Sequence, residues 1–327
     1  MKILVTGSAG HLGEALMRSL PTLGHQVLGV DIQASAWTQA VGSIVDRAFV
    51  RACMRGIDAV LHTATLHKPH VATHSRQEFV DTNISGTLNL LEEAHAAGAS
   101  RFVFTSTTSA FGDALTPPAD APAAWVTEQT PDRPKNIYGV TKTAAENICE
   151  LFRRNCGLPV LVLRTSRFFN EEDDHKETRL AYADANLKAN ELLYRRVDLD
   201  DVVSAHVCAL ERAPTLGFGR YIVSATTPFA ESEAAALRHA AAEVLAHHHP
   251  EYVEVYQRLG WRMFPGLDRV YVNRLAREDL GWRPRYDFAH ALSCLRVGRD
   301  PRSPLAQTVG AKGYHDQEFD EGPYPVE

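Results

Sequence analysis

Lys2-Ile3-Leu4-Val5-Thr6 is a short apolar run, and it opens directly into Gly7-Ser8-Ala9-Gly10-His11-Leu12-Gly13, three glycines at intervals of three. Few local features restrict a fold so tightly. The run has the length of a buried strand, and a helical pattern follows it to about residue 22. Gly7 permits the tight turn between them, Gly10 lets the backbone approach a pyrophosphate, and Gly13 lets helix and strand pack closely. A helix starting there presents unpaired N–H groups to phosphate, a role that extends to His11 and Leu12. Asp31 ends the second apolar run, 18 residues beyond Gly13, where a carboxylate can hold the adenosine ribose hydroxyls. No Arg or Lys lies between Val30 and Ala40, so a 2′-phosphate would meet a negative charge and no partner. The expected cofactor is therefore NAD and not NADP. The plainer alternative is a glycine turn and a strand-end turn Asp, with no ligand.

The same alternation continues. Further strands are expected at Gln26–Asp31, Ala59–His62, 101–105 and 159–164, with helical patterns at about 47–55, 77–97 and 135–156 between them. Strands alternating with helices imply a parallel sheet covered on both faces, hence an α/β, Rossmann-like doubly wound fold. Residues 1–168 form the expected dinucleotide-binding domain, to which parts of 195–225 return. Residues 169–327 form a smaller C-terminal α/β substrate domain and a tail. Residues 113–134 hold five prolines and read as a long surface loop. Residues 170–190 are polar and irregular, 231–248 read as one alanine-rich helix, 275–282 as a short helix ending at Gly281, and the tail from Ser303 on as a polar meander.

Composition narrows the function class. The chain has 327 residues, 45% of them hydrophobic, and a formal net charge of -6. A mildly acidic chain gives no reason to expect nucleic acid or an anionic membrane as partner. No apolar stretch approaches the length of a spanning helix, and no signal peptide is apparent. The five cysteines (53, 149, 156, 208 and 294) have no CxxC spacing, so a reducing, cytoplasmic setting is expected. No metal site is expected; His247-His248-His249 read as a solvated helix end.

Tyr138-Gly139-Val140-Thr141-Lys142 places Tyr and Lys on one face of a helix. Free tyrosine, with a pKa near ~10, is a poor base. A nearby ammonium favours the phenolate, so Lys142 can activate Tyr138 as an acid/base and also reach the nicotinamide ribose. Upstream, a buried strand ends in the hydroxyls Thr105-Ser106-Thr107-Thr108, able to hold a substrate oxygen, although such hydroxyls are often only turn formers.

Taken with the glycine motif, these residues resemble the extended short-chain dehydrogenase/reductase family, in particular its NAD-dependent epimerase/dehydratase branch. The likeness covers residues 1–212 and returns at Leu280-Gly281-Trp282 with Pro284, similar to that branch's LGWxP. It implies that Thr107, five before the glycine of Ala110-Phe111-Gly112, is the catalytic hydroxyl, with Ser106 and Thr108 as stand-ins. It implies Tyr138 as acid/base with Lys142 in support. His62, Thr63, Ala64 and Thr105 are implied as strand-end residues lining the cofactor, and Asn83 as a structural and cofactor-side residue. Three departures stand out. Ser43, followed by Ile44, occupies the place of an adenine-contacting Asp. Arg167 occupies the place of a substrate-side Asn. Tyr221-Ile222-Val223-Ser224-Ala225 stands where the branch has an NVG strand.

The resemblance implies an enzyme that transfers hydride at a sugar or nucleotide-sugar hydroxyl, foremost an epimerase, working as a homodimer. The alternatives are a dehydrogenase or reductase of a small hydroxy substrate, and a dinucleotide sensor without catalysis. Thr108 and Ser109 replace the Asp-Glu pair of the water-eliminating members, which argues against dehydration. Arg167 suggests an anionic substrate, held with Thr107 and Thr108 nearby. The competing role for Arg167 is an internal pair with Glu171 or Glu172.

Overall fold

A computed structural model describes residues 1–168, 170, 172–173, 176–313 and 319. Eleven strands follow in chain order: β1 (Lys2–Thr6), β2 (Gln26–Asp31), β3 (Ala40–Val41), β4 (Ala59–His62), β5 (Arg101–Thr107), β6 (Ala124–Val126), β7 (Val160–Thr165), β8 (Arg167–Phe168), β9 (Arg196–Val197), β10 (Phe218–Val223) and β11 (Arg269–Tyr271). Seven form one sheet in the order β10-β7-β5-β4-β1-β2-β3, parallel throughout. This is the expected Rossmann-like doubly wound sheet.

Its strands are apolar because both faces are covered. On one face, Leu16, Val202, Leu210 and Trp282 pack with Ile3, Val5 and Leu161. On the other, Val50, Leu91, Ala145 and Phe152 pack with Leu4, Val60 and Val162. A third cluster belongs to the later part of the chain and gathers Leu192, Leu237, Leu245, Tyr256, Leu267 and Phe288.

Several local expectations are corrected. The 77–97 helix is not uniform: Arg76–Phe79 and Gly86–Ala96 are α-helical, and Val80–Ser85 between them is a π-helix. The 113–134 loop contains β6, which pairs with β11. The 170–190 stretch carries helices Lys176–Ala181 and Asp184–Leu192. The alanine-rich segment breaks at 238–240 into helices Ala234–Leu237 and Ala241–His248. The tail forms helix Pro304–Val309. Glu171 and Asp174, and tail residues 314–318 and 320–327, lie outside the described residues. Among the described residues no helix is long and apolar enough to cross a membrane, and no group of three His, Cys, Asp or Glu could hold a metal. His248 instead bonds the Glu233 carboxylate.

Candidate active site

The strand order reverses between β1 and β4, and a cleft of about 1450 Å³ opens beyond their C-terminal ends. Crevices at such reversals are where doubly wound sheets take ligands. Single-ligand pockets usually hold ~300–1,000 Å³, so this cleft has room for two ligands side by side.

One hydroxyl joins the two strand ends. Thr6 Oγ1 accepts the N–H groups of Thr63 and Ala64, both at 3.1 Å, and lies 2.8 Å from His62 Nδ1. With two N–H groups accepted, its own proton goes to His62 Nδ1. His62 Nε2 then donates to Thr87 Oγ1 at 2.9 Å, which donates to the Asn83 carbonyl. Burial, together with the Lys142 charge, holds the His62 pKa well below its ordinary value, so the ring is neutral. This corrects the expectation for His62: it is 1% exposed and lies under the cleft rather than along it. Thr63 and Ala64 do line the cleft, as do Ser43 and Ile44.

The glycine loop has the shape that a dinucleotide requires. Gly7 has φ +72°, and a Cβ there would meet the Ala64 backbone at 2.8 Å. A Cβ on Gly13 would lie 1.8 Å from the Gly7 carbonyl. Gly10 differs, because a Cβ there would meet only the Gly7 carbonyl, at 3.3 Å. The fold itself demands Gly7 and Gly13. At Gly10 the fold leaves the space on the cleft side open, as a close backbone approach by a ligand needs. His11 and Leu12 line the cleft at the start of helix His11–Ser19. Asp31 Oδ2 accepts the Ala9 N–H at 3.0 Å and Oδ1 the Gln33 N–H at 2.9 Å. The carboxylate thus fixes the loop and its own turn while facing the cleft.

Tyr138 enters the cleft from the first turn of helix Ile137–Cys156, where Asn136 Oδ1 caps the Gly139 N–H at 3.1 Å. Gly139 lets that turn sit against the 107–109 segment, since a Cβ would lie 2.8 Å from the Ser109 carbonyl. Thr107 and Thr108 line the same wall, and Thr107 Oγ1 accepts the Ser109 N–H at 3.1 Å. Ser106 also lines the cleft, but its hydroxyl donates to the buried Glu146 carboxylate at 2.5 Å. Thr105 lines the cleft, with its hydroxyl on His206 Nε2 at 2.8 Å. Lys142 is 2% exposed; its ammonium donates to the Thr105 carbonyl at 2.7 Å and lies 4.0 Å from the Phe104 ring centroid. Burial pulls its pKa down to about 7, opposed by Glu146 and Cys149.

Asn83 holds this wall together. Its Oδ1 accepts from Leu66 N–H and Thr65 Oγ1, and its Nδ2 donates to the Leu66 carbonyl and Thr141 Oγ1, all at 2.9–3.0 Å. The π-helix carries this residue, and such irregularities are frequent at functional sites. Asn83 ties the loop after β4 to the helix of Tyr138. It is 2% exposed and does not line the cleft, so the structural part of its expected role stands and the direct cofactor contact does not.

Arginines also line the cleft. Arg167 lines the cleft but pairs with Asp173 at 2.9 Å, a partner next to the Glu171 and Glu172 considered from sequence. Arg195 shares that carboxylate at 2.6 Å. Arg269, at the start of β11, also lines the cleft, and its Nε is buried with no hydrogen-bond partner among the described residues.

The profile of the NAD dependent epimerase/dehydratase family matches residues 3–222. The chain belongs to this family. Its curated relatives include UDP-glucose 4-epimerases of Streptomyces lividans (32% identity; 45% of this chain, 46% of that one) and Erwinia amylovora (30% identity; 59% and 60%). The chain thus spans about half the length of these relatives. Sterol demethylase protein B of Methylococcus capsulatus is 30% identical over 68% of this chain and 70% of its own. Two NAD-bound structures share the fold. One is a short-chain dehydrogenase/reductase superfamily protein of Agrobacterium tumefaciens (TM-score 0.64, 22% identity, 94% of this chain and 99% of that one). The other is the Thermus thermophilus UDP-glucose 4-epimerase (TM-score 0.60, 23% identity, 90% and 99%).

Three features of this family member escaped the sequence reading. His67 lines the cleft with its ring centroid 6.4 Å from that of Tyr138, and its pKa falls to about 3 through burial, with His70 and Lys142 adding to the effect. No spacing pattern marks it. Glu146, one helical turn beyond Lys142, binds Arg164 and Arg220. The i+4 step from Lys142 was available as a signal. Arg269 had none, since only the β6–β11 pairing brings it to the cleft.

Proposed function

We propose that the protein is an NAD-dependent epimerase acting on the hydroxyl-bearing carbon of an anionic sugar or nucleotide-sugar. The observation that carries this reading is a single cleft lined by the glycine loop and Asp31, by Thr107 and Tyr138, and by Arg269. NAD, when bound, supplies the hydride acceptor, and the empty side of Gly10 and the Asp31 carboxylate fit its pyrophosphate and ribose. Tyr138 takes the proton from the substrate hydroxyl and returns it. Thr107 holds the same oxygen, and Lys142 anchors the strand end beneath it. Arg269 offers a guanidinium for the anionic end of the substrate, a role first expected of Arg167. Similarity to several UDP-glucose 4-epimerases supports epimerisation.

The protein is proposed to act in the cytoplasm, a reading supported by five unpaired cysteines. It is also proposed to be a homodimer through the helices around 77–97 and 137–156, where Val140 and Leu151 are exposed. The deciding experiment incubates the purified protein with a panel of nucleotide-sugars and sugar acids. An epimerase converts one of them with no net accumulation of NADH. Stoichiometric NADH formation would instead make the protein a dehydrogenase.

A further inference from the structure

Residues 303–313 come back from the far end of the chain to the glycine loop. Helix Pro304–Val309 is fastened at both ends. At its start, Ser303 Oγ accepts the Ala306 N–H at 3.0 Å, and the Ser303 N–H donates to the buried Asp198 carboxylate at 3.0 Å. Toward its end, Asn170 Nδ2 donates to the carbonyls of Ala306 at 2.7 Å and Gly310 at 3.1 Å. Ala306 and Val309 pack into the core cluster that holds Leu12 and Leu16. The chain is thereby led over the start of helix His11–Ser19. There the Lys312 N–H donates to His11 Nε2, and the Lys312 ammonium donates to the Ala9 carbonyl at 2.7 Å and pairs with Glu14. Lys312 and Gly313 line the cleft together with Gly10 and His11.

We propose that Lys312 is a cofactor-binding residue that clasps the pyrophosphate of NAD from the C-terminal side. The inference rests on the reading of this cleft as an NAD site, and it adds a residue some 300 positions away from the motif that defines that site. Neutralising Glu14 does not account for Lys312, because Arg18 already bonds that carboxylate at 2.8 Å. Glu14, Arg18 and Lys312 together carry one surplus positive charge beside the helix start. An ammonium has three protons; among the described residues the Ala9 carbonyl and Glu14 take two, which leaves the third for a phosphate oxygen. The helix start by itself offers only about half an elementary charge, whereas a diphosphate carries full ones. A clasp of this kind also suits a reaction that regenerates its cofactor, since nothing requires release between turnovers.

The test titrates full-length wild-type, Lys312→Met and Lys312→Arg protein with NAD, ADP, adenosine and 2′,5′-ADP, by calorimetry. Lys312→Met keeps the aliphatic stem and removes the charge. A hydrogen bond between charged groups is worth enough that its loss should weaken NAD and ADP about tenfold or more. Adenosine, which lacks phosphate, should be unaffected, and Lys312→Arg should recover most of the loss. Unchanged NAD affinity in Lys312→Met overturns the clasp and leaves the cofactor reading standing. Equal weakening of adenosine overturns it by making Lys312 structural. A loss confined to 2′,5′-ADP overturns it by moving the contact to the ribose. Should the wild-type protein bind neither NAD nor ADP, the cofactor reading fails and the clasp fails with it.

Discussion

The two ends of the cleft are built differently. The cofactor end is made by consecutive units: β1, the glycine loop, β2 with Asp31, and β4, whose end is joined to β1 through Thr6. The substrate end is made by strangers in sequence. Ala124 of β6 pairs with Arg269 of β11, and Arg167 of β8 with Arg196 of β9. A site built from one βαβ succession must show itself as a local spacing, because turn, helix start and strand end are fixed by residues within a few positions of one another. A site built by long-range pairing has no such constraint. The wall that carries Tyr138 lies between these extremes, with its helix cap local and its bond to Asn83 remote.

The largest expected effect tests whether that wall does the chemistry. Tyr138→Phe removes the phenol hydroxyl, with its transferable proton, and keeps the ring. Turnover should fall by ~10²–10⁴-fold, while NAD binding, measured by titration, stays as in the wild type. A variant that keeps a tenth of its activity would move the acid/base role elsewhere.

The next effect separates two glycines that the sequence pattern treats alike. Gly13→Ala puts a methyl group 1.8 Å from the Gly7 carbonyl, and the backbone must shift. Forced overpacking of this kind costs ~1–3 kcal/mol, so both the melting temperature and NAD affinity should drop. Gly10→Ala meets only a 3.3 Å contact within the protein. It should melt near the wild-type temperature and still lose NAD. If Gly10→Ala binds NAD normally, the pyrophosphate does not approach this loop.

At the substrate end the contrast is between two arginines on one cleft. Arg167 is held by Asp173, and Arg269 Nε is buried without a partner among the described residues. A lost charge-assisted bond is worth ~1.5–3 kcal/mol, so Arg269→Ala should raise KM for the true substrate tenfold or more with NAD affinity unchanged. Arg167→Ala leaves the buried Asp173 with Arg195 and should lower stability more than it raises KM. The reverse pattern in steady-state kinetics would restore Arg167 to the substrate role first expected of it.

Much of the fold was legible in the sequence, since apolar runs and helical periods recur as regularly as the sheet they build. Every glycine and hydroxyl position named from sequence at the cofactor end lines the cleft, as does Tyr138; Lys142, 2% exposed and bonded to the Thr105 carbonyl, lies beneath that lining, and so do His62 and Asn83. His62 and Asn83 were misplaced for one reason. A strand-end histidine and a helix asparagine are local features, but whether each faces ligand or protein depends on partners at Thr87 and Thr141. The later part of the chain was less legible because its helices are short and interrupted, and its strands span two or three residues. Periodicity needs more residues than that to register.

The smallest effect concerns the one remote element whose signal was present. Ser303-Pro304 has a helix-capping serine followed by proline at the first helical position, the combination that starts helix Pro304–Val309. In a polar tail the pair was read as part of a meander, because a six-residue helix has too short an apolar face to support it. Ser303→Ala removes the cap at a cost of ~1 kcal/mol. For a chain of this size that corresponds to a fall in melting temperature of roughly 1–2 °C, measurable by calorimetry. If the helix serves to hold Lys312 over the glycine loop, the same variant should also bind NAD slightly more weakly, because the open tail carries its contact away. Addition of saturating NAD should then widen the melting difference between variant and wild type, though less than it does for Lys312→Met, because the weaker binder gains less from the ligand. A melting difference for Ser303→Ala that NAD leaves unchanged would mean that the helix and the lysine act independently, and that the tail is joined to the cofactor end by position alone.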